Sequence, residues 1–368
     1  MTTGYVWHDL YGWHDTGTSA GLLSPDPRAG IQPGRAMEHP DAKRRIHELV
    51  NVSGLGDRLV RLVPREASDE ELLRVHTPRH LAYLEEQSAQ ARGGDAGDGE
   101  SPFGHGGVMI GRLSVGGTLV ATEAVLDGRV RDAYALVRPA GHHALPDRGM
   151  GFCMFNNVAV AARHAQTLGV GRVAIVDLDV HHGNGTQETF AGDPDVLTVS
   201  IHQDGLYPVD SGPFTDLGRG AGEGSVVNVP LPPGSGRGAY EAAMSRVVLP
   251  ALERFAPELV IVAIGFDANA YDPLSHQLLT AAAFADIVGS IAELARRVCD
   301  GRLVLSHEGG YSAMYVPFCA LAVLERLSGL TTGVMDPLGP RLETIPGQSL
   351  EPHQATRIDA IAALHDLA

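Results

Sequence analysis

Three metal-competent side chains occupy alternate positions in the stretch R-V-A-I-V-D-L-D-V-H-H-G-N-G from Arg172 to Gly185: Asp177, Asp179 and His181. Side chains on a strand alternate faces, so these three point the same way if the strand persists that far. Such a face is costly at the end of an apolar strand unless a cation or hydrogen bonds compensate it. The stretch therefore reads as a metal site or as a carboxylate pair capping neighbouring loops. Asp267, in G-F-D, is a second source of carboxylate. Asp179, His181 and Asp267 would make a three-ligand site with an open position, the catalytic arrangement for zinc, and the mixed oxygen and nitrogen donors also suit Fe(II), Co(II) or Mn(II). The adjacent His142 and His143 suit general base and general acid roles toward a metal-activated water and a leaving amine. Each needs an orienting partner on its far nitrogen; Asp177 is the candidate for one and Asn184, in the glycine turn, for the other. Tyr311, after Gly309-Gly310, can offer a phenolic O–H to an oxyanion.

Elements must bring these residues together. Strand-like runs are predicted at 134–137, 173–176, 196–201, 226–229, 259–264 and 303–306, with helical runs at 157–168, 238–255, 281–298 and 317–327. The alternation implies an α/β protein with a mostly parallel sheet covered on both faces. In such sheets the active site forms outside the carboxyl ends of the strands. Five strand ends deliver His142-His143, Asp179 and His181, His202, Asp267, and His307 with Tyr311 to one rim. Upstream, the first 40 residues read as an irregular segment whose Tyr5, Trp7, Tyr11 and Trp13 pack on the body or a partner subunit. Asp41 opens an amphipathic helix, Ser68 to Glu71 is a capping box, Thr77-Pro78 starts another helix, and residues 89–107 read as a long surface loop. A helix with small residues follows over about 108–126. No composition break marks a second domain, so residues 1–368 read as one.

Composition narrows the class. A formal charge of −16 argues against a general nucleic-acid binder. Three cysteines, Cys153, Cys299 and Cys319, form no spaced framework, which points to a reduced, cytoplasmic setting. The N-terminus lacks a basic region followed by an apolar core, and no apolar run reads as long enough to span a bilayer, so no membrane partner is expected.

The motifs carry a resemblance. G-H-H-A at 141–144, G-F-C-M-F-N-N at Gly151–Asn157, D-L-D-V-H-H-G-N-G-T-Q at 177–187, G-F-D-A at 265–268 and E-G-G-Y-S at 308–312 resemble the histone deacetylase family. The chain most resembles its class II enzymes and the bacterial histone deacetylase-like amidohydrolases, over about 5–327. The resemblance implies the single-domain arginase/deacetylase fold, with a mostly parallel eight-stranded sheet and helices on both faces. It implies metal-dependent hydrolysis of an N-acyl amide, typically acetyl-lysine in a peptide or protein, or a small acylated amine. By the same resemblance Asp179, His181 and Asp267 hold Zn2+, with Fe2+ or Co2+ as alternatives. His142 and His143 form the catalytic pair backed by Asp177 and Asn184, and Tyr311 polarises the carbonyl. Gly151 and Phe152 match one wall of the acyl-lysine tunnel, and Tyr207 stands where the opposite wall is usually Phe. Asp98 matches a rim aspartate that holds the substrate backbone. A structural K+ is implied at Asp177, Asp179, His181, Ser200 and Ile201, and an outer one at Phe190, Asp193 and Val196. A homo-oligomer is expected.

Two positions bear on substrate. Asn184 stands where class I relatives have Asp. Leu274 occupies the place where the polyamine-selective relative has a Glu, which favours an apolar, acyl-lysine-like tunnel over the alternative, an acetylpolyamine amidohydrolase. An arginase-like di-metal enzyme is disfavoured by Tyr311 and the histidine pair, and an acyl-lysine binding module by Tyr311. His182, His202, His307 and Cys153 read as structural residues, and Arg44 and Arg45 as a solvated helix face.

Overall fold

Strand ends set the position of every residue singled out above. In the computed structural model, which describes residues 2–19 and 25–367, the strands are β1 (Thr3–Val6), β2 (Val60–Leu62), β3 (Asp132–Ala135), β4 (Val173–Asp177), β5 (Val196–Gln203), β6 (Val226–Leu231), β7 (Leu259–Ile264) and β8 (Leu303–His307). They form one eight-stranded sheet in the order β6-β5-β4-β7-β8-β3-β1-β2. Every pairing in it is parallel.

The strands are apolar on both faces because both faces are covered. On β4, Ala174 and Val176 enter one hydrophobic cluster together with residues of the helices Ala281–Val298 and Val316–Ser328. Val173 and Ile175 enter a second cluster, with the helices Gly107–Leu126 and Asn157–Thr167. The order of β4 between β5 and β7, with β8 and β3 beyond, brings the loops after β3, β4, β7 and β8 to the same end.

Local chemistry accounts for the helix starts. Ser68 and Glu71 exchange side-chain and backbone hydrogen bonds as a capping box, and the Thr77 side chain accepts from the His80 N–H ahead of Pro78–Ser88. The predicted helix over 238–255 is interrupted by a π-helical turn, Met244–Val248. Pro250 follows it and has no N–H to give to the Arg246 carbonyl.

Three expectations are corrected. The first 40 residues are not uniformly irregular: Thr3–Val6 is a buried strand paired with both β2 and β3. It and β2 are too short to show periodicity in sequence. Within the predicted loop, Gly94–Asp95 pairs with Pro102–Phe103 as a small antiparallel hairpin. Finally, Gly107–Leu126 is, by length and composition, long and apolar enough to cross a membrane, but 83% of its apolar window is buried inside the protein. Its all-round apolarity is that of a core helix under the sheet.

Candidate active site

β4 ends at Asp177, so strand alternation does not align Asp177, Asp179 and His181. Side chain to backbone bonds do. Asp177 Oδ1 accepts the Asp179 N–H at 3.0 Å, and Asp179 Oδ1 accepts the His181 N–H at 2.9 Å. Each aspartate folds its own backbone two residues on, an Asx turn. Asp267, past the end of β7, accepts the Val180 N–H on Oδ1 at 2.8 Å. Ligand atoms of Asp179, His181 and Asp267 all lie within 4.8 Å of one another. His181 Nδ1 is 3.0 Å from Asp179 Oδ1 and 3.2 Å from Asp267 Oδ2.

This set fits a divalent metal. The Asp267 Oδ2 is buried and has no hydrogen-bond partner among the described residues. Burial, then the Asp179 charge, push the Asp267 carboxyl up to about 6, the penalty of two carboxylates facing one another away from water. A cation among two oxygens and a nitrogen removes that penalty. Gly309, after β8, closes the site from the far side and donates its N–H to Asp179 Oδ2 at 2.8 Å. Any Cβ at Gly309 would overlap Asp267 Oδ2.

The histidine pair follows β3. His142 Nδ1–H donates to Asp177 Oδ2 at 2.9 Å and its Nε2 lies 3.8 Å from Asp179 Oδ1. His143 Nδ1–H donates to Asn184 Oδ1 at 2.8 Å. The ring centroids lie 3.9 Å apart, with the planes tilted by 41°. Burial works against a charge on either, but the Asp177 and Asp179 carboxylates outweigh it at His142 and push it up to about 10. At His143 burial and the neighbouring His142 and His181 act together and hold it well below the usual range. The surroundings thus favour charge on His142 and disfavour it on His143, the kind of division that separates acid from base roles.

His143 and His181 open into a cavity of about 150 Å³ whose walls include Gly151, Phe152, Leu206, Tyr207, Leu274, Tyr311 and Glu100. Tyr207 meets the His143 ring edge-on at 4.9 Å, and Phe152 meets Tyr311 at 6.0 Å. Phe152 holds a left-handed φ of 66°, and Gly151 φ of 56°, directly against His143. A non-glycine residue in that region is strained and is kept there by its surroundings. Asp98 supplies part of them. Its Oδ2 accepts the Gly151 N–H at 2.8 Å and the Ser101 hydroxyl at 3.1 Å, while Ser101 Oγ accepts the Phe152 N–H at 2.8 Å. Asp98 therefore braces the wall and does not itself line the cavity. Asp95 is occupied with the hairpin turn, accepting from Gly97, Gly99 and Ser101.

Of the potassium sets, Asp177 and Ser200 are register partners on β4 and β5, with Ile201 next on β5. Ser200 Oγ lies 3.0 Å from His202 Nδ1. In the outer set, the Asp193 carboxylate takes Arg163 Nη1 at 2.5 Å, and the Arg163 guanidinium lies 4.6 Å over the Phe190 ring. That carboxylate is already ion-paired. Val196 pairs in register with Val173.

The residues read as structural stand apart from the cavity. His182 bonds Ser211 and Gln187, His202 bonds the Gly212 carbonyl, and His307 bonds the Tyr134 hydroxyl. Cys153 is buried, and Arg44 is exposed and pairs with Asp41 and Glu48. Two further carboxylates at the site are not singled out by the sequence patterns. Glu308 Oε2 accepts the Gly141 and His142 N–H groups at 2.6 and 3.1 Å. Asp272 Oδ2 accepts those of Tyr311 and Ser312 at 2.7 and 3.2 Å. Their signal was position: Glu308 follows a strand end, and Asp272 precedes the wall residue Leu274.

Similarity to known proteins runs along this site. The histone deacetylase domain profile matches residues 36–327. The chain is 47% identical to a histone deacetylase-like amidohydrolase of Pseudomonas aeruginosa over 369 residues, covering 98% of this chain and 95% of that protein. It is 34% identical to a probable deacetylase of Archaeoglobus fulgidus over 335 residues, 89% of this chain and 87% of the other. The crystal structure of an HDA15 HD domain superposes with a TM-score of 0.82 at 31% identity, covering 99% of this chain and 97% of that one.

Proposed function

The chain belongs to the histone deacetylase family and is an amide hydrolase, and from that premise we propose that it removes acetyl or other short acyl groups from the side-chain amine of acyl-lysine. The observation that carries the proposal is the neutral His143 and the Tyr311 ring lining one cavity with His181, directly beside Asp179 and Asp267.

Asp179, His181 and Asp267 would hold the metal, with zinc first by ligand type and Fe(II) or Co(II) as alternatives. Bound there, it would supply a Lewis acid for the amide carbonyl and lower the pKa of water to about 7. The chain's own groups do the rest. His143 gives its Nδ1–H to Asn184, so Nε2 is the free base; it takes a proton from the attacking water and returns it to the departing amine. His142, held by Asp177, stays charged and favours the negative charge that develops beside it. The Tyr311 hydroxyl donates to the carbonyl oxygen as that oxygen becomes anionic. Phe152, Tyr207 and Leu274 exclude water along the acyl-lysine chain. A structural K+ at Asp177, Asp179, His181, Ser200 and Ile201 belongs to the same reading.

A second substrate reading, an acetylated polyamine, has one observation in its favour: the cavity wall includes the exposed carboxylate of Glu100, which would suit a distal ammonium. Turnover of an acetyl-lysine peptide, longer acyl-lysine peptides and acetylputrescine separates the two. Acetyl-lysine peptide is expected to be hydrolysed fastest, with inhibition by a hydroxamate and loss of activity on chelation restored by Zn2+ or Co2+. Faster hydrolysis of acetylputrescine would overturn the lysine reading, and full activity after thorough chelation would overturn the metal mechanism.

A further inference from the structure

A buried ion cluster that the reaction above does not use sits against Tyr311. The Arg138, Glu38 and Lys43 side chains are 0%, 3% and 1% exposed. Arg138 donates to both Glu38 oxygens, through Nε at 2.8 and 3.0 Å and through Nη2 at 2.5 Å. Its Nη1 donates to the carbonyls of Tyr11 and His14 at 2.9 and 2.7 Å. Arg138 is therefore fully engaged. Lys43 is not: Nζ donates to Glu38 Oε1 at 3.3 Å, long for a charged pair, and no other acceptor meets it among the described residues.

Two cations share one carboxylate, so the cluster leaves net positive charge in the interior. Such a charge is expensive unless another electron-rich group faces it. The imidazoles nearby stay neutral and add no further positive charge. Burial and Arg138 hold His14 down to about 3, and burial holds His307 well below its usual range. The Tyr311 ring does face the ammonium, with Lys43 Nζ 5.7 Å from its centroid. That separation is within reach of a cation–π contact, which strengthens when desolvated.

Tyr311 needs such a hold. It follows Gly309 and Gly310, the latter at φ 123°. Asp272 fixes its backbone N–H but not its ring. Its ring neighbours Phe152 and His181 stand 6.0 and 6.4 Å away, edge-on. We propose that Lys43 is a positioning residue of the catalytic site: seated on Glu38, its ammonium holds the Tyr311 ring where the hydroxyl meets the substrate carbonyl. The inference rests on the deacylase reading above and adds to it a residue that touches neither substrate nor metal.

The test is a double-mutant cycle on the full-length enzyme with acetyl-lysine peptide. In Lys43→Met, Glu38 keeps its bonds to Arg138, so no carboxylate is orphaned and the variant is expected to melt close to wild type. Its kcat is expected to fall roughly ten-fold, as for a lost desolvated cation–π contact, with KM unchanged. Lys43→Arg, whose guanidinium also stacks on aromatic faces, should recover most of the loss. In a Tyr311→Phe background, which lacks the hydroxyl to be positioned, Lys43→Met should change kcat less than two-fold. Wild-type kcat in Lys43→Met would overturn the inference, as would the same fold-loss in the Tyr311→Phe background, because Lys43 would then act independently of Tyr311. Should Lys43→Met fold poorly, Lys43→Gln carries the same cycle. Hydrolysis by wild type together with an unchanged kcat in Lys43→Met would sink this inference alone and leave the functional reading standing.

Discussion

His143 and Asn184 are joined by a 2.8 Å hydrogen bond from Nδ1–H to Oδ1, whereas the adjacent His142 is backed by the Asp177 carboxylate at 2.9 Å. The two histidines thus differ by one formal charge at the back, and that difference acts in the same direction as their surroundings. The ring that reaches the cavity is the neutral one.

Exchanging the amide for a carboxylate should therefore move the pH profile. In Asn184→Asp the new charge favours the His143 imidazolium and raises its pKa. A base that protonates more readily is lost at higher pH, so the acid limb of kcat/KM shifts upward. Measuring kcat/KM against pH for both proteins decides the point. An unmoved limb would remove His143 from the role of base.

The glycine at 309 should be intolerant for a reason separate from its backbone angles. A Cβ there would overlap Asp267 Oδ2 and stand 2.7 Å from Asp179 Oδ2, pushing apart the oxygens that converge on the metal position. Gly309→Ala is expected to weaken Zn2+ binding by about 10²-fold, the upper range for disturbing groups that orient ligands. Competition titration against a chromophoric chelator reads this directly, without relying on turnover. Wild-type affinity in the variant would place the metal elsewhere.

Much of this arrangement is legible in the sequence. Six of the eight sheet strands carry apolar runs, five of them followed by His, Asp or Tyr, and the rule for open parallel sheets sends those ends to one rim. For Asp177, Asp179 and His181, strand alternation predicts the grouping but stops at Asp177, and Asx turns take over. Lys43 shows what remained hidden. In A-K-R-R it looks as solvated as Arg44 and Arg45, yet it shares a helix face with the buried Ile46 and Val50, three and seven positions on. Helical phase marks the buried face. Only the tertiary fold brings Glu38, Arg138 and Tyr311 to meet it.

Glu308 offers a second view of how the histidine pair is held. Its Oε2 takes the Gly141 and His142 N–H groups, and its Oε1 is buried without a partner among the described residues. Glu308→Gln keeps an acceptor oxygen in place, whereas Glu308→Met keeps the length and loses it. If position is what matters, Glu308→Gln should retain kcat within about three-fold, while Glu308→Met should lose roughly 10- to 100-fold, the scale of small misplacements of catalytic groups. Hydrogen exchange at the Gly141 and His142 amides should accelerate only in Glu308→Met. Equal losses in both variants would mean that charge, not the acceptor, is the contribution.

The loop carrying both histidines should also open in acid, and His76 supplies a mechanism. Its Nε2 accepts the Asn156 N–H at 2.9 Å while its Nδ1–H donates to the Leu145 carbonyl at 3.1 Å, so the fold uses the neutral ring. Asn156 in turn donates to the Ala144 carbonyl at 3.2 Å, next to His143. Burial, with a smaller push from His80, lowers His76 from its ordinary 6.5 to about 3. The folded state then binds fewer protons than the unfolded chain between those values. Stability from this group is complete above pH 6.5 and is lost progressively as pH falls toward 3. A single such proton gives a slope of at most ~1.4 kcal/mol per pH unit. In His76→Gln the amide can accept and donate as the ring does but cannot titrate. Urea unfolding between pH 4 and 6 should therefore show a slope shallower by about 1 kcal/mol per pH unit in the variant. An identical slope would mean that other buried histidines, such as His14 and His202, both held down to about 3, carry the acid sensitivity instead.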